Sequence, residues 1–209
     1  MKDKATKKNV LVISALAVIL LVAVTFFAFT SLVWKSYVSE KELFAYVKER
    51  DNGLMKEQKK DDVRFVVYYK PSDLLTAQDK HSNVIQQNKT VYDNYYYFIL
   101  NLSQSGQELE ATLLTNSDFG KAIQKLAFGM REHISIITSE QDTVALAEYM
   151  FPRMYGSTGS TSFICAFEKK DIEKSKNFDL VFYNPQIVES PVKFSFITKD
   201  IKNTPRIKF

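Results

Sequence analysis

From Asn9 to Trp34 the chain runs NVLVISALAVILLVAVTFFAFTSLVW, without a charged residue. An apolar run of about 25 residues crosses a bilayer core as a helix with some tilt. A cleavable signal has an apolar core of roughly 7–15 residues closed by small residues. No such site follows here: Ala28 lies between Phe27 and Phe29, and no cysteine is available for lipidation at the N-terminus. The run reads as a retained signal anchor over residues 9–34, with Val10, Leu20 and Phe27 in the lipid and Trp34 at the far interface. A buried helix of a soluble domain would not need so long an uncharged run. The basic tail 1–8, MKDKATKK, faces the cytoplasm by the positive-inside rule, so the C-terminal part lies outside the membrane.

Charge supports this division. The chain has 28 Lys and Arg against 24 Asp and Glu; residues 1–35 hold five of the former and Asp3 alone of the latter, leaving 23 of each beyond. The net charge of +4 therefore sits beside the membrane, and the rest is neutral. Nucleic-acid binding needs a net cationic face to displace counterions, and nothing in this balance supplies one.

After the anchor, SEKELFAYVKER reads as a helix: Ser39 and Glu42 have capping-box spacing, and Leu43, Phe44 and Val47 form a short apolar stripe. Asn52-Gly53 stops it, and the charged KEQKKDD that follows reads as solvated. Residues 35–62 are thus expected to form a charged helical stalk; a short coiled coil is the alternative. From residue 63 the texture changes to strands: VRFVVYY, NYYYFILNLS, ELEATLLT, HISIIT, VALAEYMF, TSFICAF, FDLVFYN and VKFSFIT. VALAEYMF would also suit a helix by composition. DFGKAIQKLAFGM (118–130) carries Ile123, Leu126 and Ala127 at helical spacing. Successive short strands predict a mainly β fold, a β-sandwich over 63–209 with one inserted helix.

The strand at residues 95–100 is apolar on both faces. Alternation puts Tyr95, Tyr97 and Ile99 on one side and Tyr96, Phe98 and Leu100 on the other. One face packs the core; the other is covered internally or by a partner. Tyrosine tolerates half-wet positions and is enriched at interfaces, so Tyr95, Tyr97 and Ile99 are the candidate interface residues.

Chemistry-bearing motifs are missing from the sequence. There is no Walker A loop, no G-x-S-x-G, no H-E-x-x-H and no C-x-x-C. His81 and His133 lack ligand spacing and read as surface residues. Cys165 reads as a small core residue on a strand, with a reactive thiol as the sharper alternative. The Gly- and Ser-rich loop 155–162 lies between strands and opens no helix, so it reads as a connection and not a phosphate cradle. No catalytic residue, cofactor or metal is assigned.

The layout of basic tail, single anchor, charged segment and strands such as YYYFILNLS, FDLVFYN and PVKFSFITKDI resembles single-pass envelope proteins of Bacteroidota-type bacteria. The strand order from 63 to 201 is similar to the telokin-like, immunoglobulin-type domain of bacterial membrane-anchored proteins. That resemblance implies an extracytoplasmic binding or assembly module, periplasmic where there is an outer membrane, and carries no catalytic residue over. The resulting expectation is a membrane-anchored, non-enzymatic envelope protein that is an accessory or structural subunit of a membrane assembly. Its partners would be the bilayer and another membrane or envelope protein. The alternative is an extracytoplasmic ligand-binding or sensor module.

Overall fold

The structure is a computed structural model that describes residues 37–79, 90–109, 119–152 and 158–209. The anchor run, with Val10, Leu20, Phe27 and Trp34, lies outside these residues. Among the described residues no helix is long and apolar enough to cross a membrane. Residues 38–209 form one compact unit.

The chain enters this unit through β1 (Tyr37–Val38) and α1 (Glu40–Lys48). Ser39 caps α1 as its spacing predicts. The Glu42 carboxylate accepts from the Ser39 backbone N–H at 2.8 Å, and Ser39 Oγ accepts from the Glu42 N–H at 3.3 Å. The 3₁₀ turn after α1 closes at Gly53, whose φ of +71° is a left-handed conformation that glycine adopts without strain.

The expected stalk is instead part of the domain. Leu43, Val47 and Leu54 have no exposed surface. The charged KEQKK belongs to β2 (Met55–Lys60), which pairs antiparallel with β3 (Val63–Lys70). The two are joined by a tight turn in which Asp61 and Asp62 both have positive φ, the geometry a two-residue hairpin favours. A strand this polar is stable because it is an edge. Its core-facing Gln58 reaches the Lys193 carbonyl at 2.6 Å, and Lys60 reaches Ser190 and the Pro191 carbonyl. These contacts tie the polar edge strand to residues 190–193.

Beyond β3 come α2 (Ser72–Gln78), β4 (Tyr95–Gln104), β5 (Gln107–Glu108), α3 (Phe119–Phe128), β6 (Ile134–Thr138), β7 (Thr143–Ala145), β8 (Glu148–Met150) and β9 (Thr161–Glu168). The chain ends with α4 (Lys169–Ile172), β10 (Asn177–Phe182), β11 (Val192–Ile197), α5 (Thr198–Lys202) and β12 (Arg206–Ile207). The fold is mainly β, in three sheets. The largest has the order β2-β3-β4-β9-β8 with β5 beside β4; the second has β11-β10-β6-β7; β1 and β12 form a two-stranded third.

The two larger sheets meet face to face over a phenylalanine-rich core. Phe98 of β4 lies 5.1 Å from Phe196 and 5.9 Å from Phe178, centroid to centroid, and Phe65 of β3 lies 5.4 Å from Phe182. Burying each such ring stabilises the fold by about 1.5–3 kcal/mol. VALAEYMF is neither one strand nor a helix. It bends at Leu146-Ala147, so that β7 pairs with β6 in one sheet and β8 with β9 in the other.

Candidate interaction surface

The alternation read in β4 holds. Tyr96, Phe98, Leu100 and Leu102 are core residues, while Tyr95, Tyr97 and Ile99 point to the outer face of the large sheet. Of these three, Ile99 is buried (6% exposed), and Tyr95 and Tyr97 are half-buried. Tyr97 meets Tyr92 edge-on at 6.0 Å and Tyr95 at 6.2 Å. Burial pushes the Tyr97 hydroxyl up to about 12, with help from its tyrosine neighbours and Asp93. Tyr95 lines an open cleft of about 450 Å³ with Asp93, Glu168, Lys169 and Glu173.

Cross-strand register extends this face beyond the tyrosine strand. Met55, Tyr68, Ile99, Ile164 and Met150 are successive partners on β2, β3, β4, β9 and β8, forming one apolar row across the sheet. The neighbouring row on one side is Glu57, Val66, Asn101 and Ser162, with Ser162 Oγ donating to Asn101 at 2.7 Å. On the other side lie Lys70, Tyr97, Ala166 and Glu148. An apolar centre with a more polar border is the anatomy of a protein interface. The row is shielded at the α1 end, where the Lys48 ammonium sits 3.2 Å above the Tyr68 ring, and burial lowers the pKa of that lysine. It is open at the other end, where Met150 is 61% exposed. Sequence reasoning singled out the β4 residues but not Met150 and Ile164. Both lie in apolar stretches, EYMF and SFICAF, whose outward positions nothing local marks, and only the register lines them up with Ile99.

Other polar groups are engaged in holding the fold. Asp73 is almost fully buried and binds Arg206 through two hydrogen bonds of 2.8 Å each, and it accepts the Ile207 N–H at 2.7 Å. This pairing fastens β12 to α2. Asp93 lies 3.6 Å from Arg206 and accepts from Ser72 Oγ at 2.5 Å. Ser139 and Ser175 both hydrogen-bond the Glu140 carboxylate, at 2.9 and 2.5 Å, with no imidazole in the set. The Nδ1–H of His133 donates to the Tyr183 carbonyl at 2.8 Å; His81 lies outside the described residues. Cys165 is fully buried, and desolvation pushes its thiol up to about 12, so it is a core residue and not a nucleophile. Among the described residues no three His, Cys, Asp or Glu side chains are placed to hold a metal.

No protein-family model matches the chain, and no curated protein matches it. Among solved structures it is similar to a novel protein of unknown function from Burkholderia pseudomallei K96243. The identity is 11%, covering 81% of this chain and 94% of that one, with a TM-score of 0.39. A likeness of that size carries no argument about fold or function.

Proposed function

We propose that this chain is a membrane-anchored, non-enzymatic envelope protein. Its immunoglobulin-like β domain, held outside the cytoplasmic membrane, binds another membrane or envelope protein as an accessory or structural subunit. The observation that carries this reading is the apolar row ending at exposed Met150, bordered by more polar rows on the outer face of the larger sheet. The uncharged run 9–34 and the basic tail before it support the anchor and the orientation. The ligand-binding alternative needs a concave apolar pocket with a few convergent polar groups. Three open-sided clefts among the described residues each have charged side chains in their lining, and aromatic rings pack between the two larger sheets.

Gentle detergent extraction from native membranes, affinity purification and size analysis test the proposal. A defined membrane protein recovered with the chain at fixed ratio is the expected result. Recovery of the chain alone, at any detergent mildness that keeps it folded, would refute it.

A further inference from the structure

Strand β7 is an open sheet edge, and its hydrogen bonding can be followed residue by residue. The Thr138 N–H donates to the Asp142 carbonyl at 2.9 Å, and the pairing continues through Ile136 with Val144. Antiparallel ladders alternate, so the N–H and C=O groups of Thr143 and Ala145 point away from β6. Both residues are exposed. Two residues on, the Ala147 N–H on the same side is taken by the Ala166 carbonyl, where the chain crosses to the other sheet.

Beside this edge runs a groove of about 720 Å³, walled by β7 on one side and by Glu168, Lys170, Asp171 and Lys174 on the other. Glu140 and Asp142 stand at its hairpin end. Its lining has four carboxylates against two lysines; Lys170 and Glu168 pair with each other at 2.5 Å, which leaves Glu140, Asp142 and Asp171 against Lys174. Charge or side-chain contacts cover the other ends of the two larger sheets. β2 carries three lysines along its length, β11 has its Lys193 carbonyl occupied by Gln58, and β8 carries Glu148. β7 is short, but its sequence, Thr-Val-Ala, has no charge, proline or bulge.

We infer that β7 is the docking edge for an extended segment of a partner protein bearing lysine or arginine, which adds to the sheet as a further strand. Backbone pairing with Thr143 and Ala145 supplies affinity, and side chains at alternate positions meet the acidic groove. Pairing of two β7 edges from two copies would instead bring like charges together. The inference rests on the partner-binding reading above and names the chemistry of the partner.

The test uses the full chain in detergent micelles and a fluorescein-labelled peptide, Lys-Val-Lys-Val-Lys-Val, with Glu-Val-Glu-Val-Glu-Val as control. Anisotropy reads affinity, and deuterium uptake over residues 143–150 reads the site. The lysine peptide is expected to bind, to slow exchange at Thr143 and Ala145, and to weaken with salt. Ala145→Pro removes an outward N–H without touching the β6 ladder, and is expected to weaken binding by about fivefold or more. The double variant Asp142→Lys/Asp171→Lys keeps the edge and is expected to switch preference to the glutamate peptide. The inference is overturned if protection falls elsewhere, if neither variant changes binding, or if the wild type self-associates and Ala145→Pro abolishes that. Should a native partner co-purify equally with wild type and Ala145→Pro, the edge falls while the partner-binding reading stands; a wild type that co-purifies with nothing removes that reading instead.

Discussion

Phe98→Ala would test whether the two large sheets meet where the ring contacts place them. Phe98 lies on the middle strand of the larger sheet with no exposed surface. Its ring is within 6.2 Å, centroid to centroid, of Tyr69, Phe167, Phe178 and Phe196, the last two from the opposite sheet. Removing it leaves a void that four rigid rings fill poorly, which places the loss inside the range of about 3–5 kcal/mol for such truncations. We expect about 4 kcal/mol. With a urea slope near 2 kcal/mol/M, the midpoint of unfolding of residues 38–209 falls by about 2 M. The melting temperature drops by roughly 8–16 °C. Tyr95→Ala, on the outer face of the same strand and half-buried, should cost about 1 kcal/mol or less. Urea titration followed by circular dichroism reads both. A Phe98→Ala loss below about 1.5 kcal/mol, or equal losses for the two variants, would refute the face-to-face packing at this strand.

Asp73→Ala should destabilise the domain by about 3 kcal/mol, because it strands Arg206 and the Ile207 N–H; chemical denaturation measures it, and a change under about 1 kcal/mol would show that β12 is held by other contacts. Hydrogen bonds from Ser175 and then Ser139 hold Glu140 below its ordinary value of 4.5, so its contribution is present above that pH and is lost as pH falls through the lower folded value. Stability measured against pH should therefore converge for wild type and Glu140→Gln in acid; a gap that widens in acid contradicts the assignment. Cys165 should resist a water-soluble disulfide reagent in the folded chain and react fully in denaturant, and rapid labelling of native protein would show the strand to be open.

The strands legible in the sequence were those with dense β-branched and aromatic residues. VRFVVYY, YYYFILNLS, TSFICAF and VKFSFIT each match an observed strand within a residue or two, because their apolar positions alternate toward one core. The cap of α1 was equally legible, since Ser39 and Glu42 satisfy each other locally. KEQKK was not, because an edge strand needs no apolar face when backbone pairing on one side and side-chain hydrogen bonds hold it. VALAEYMF hid a bend, since a strand that changes sheets keeps the composition of a single strand. Nothing near Asp73 in the sequence announces its role, because its partner Arg206 lies 133 positions away, a distance no local pattern spans. On the outer face of the tyrosine strand, Ile99 of the three candidate residues is buried, and the exposed end of its row is Met150, which the strand's own sequence does not contain.

The most direct test of the central claim is photo-crosslinking in intact cells. A photoreactive residue is placed at Met150, with the exposed Lys176, which belongs to neither surface described above, as control. The account predicts one defined adduct from Met150 to a different membrane or envelope protein and none from Lys176. Adducts only to a second copy of the chain, or the same adducts from both positions, would contradict it.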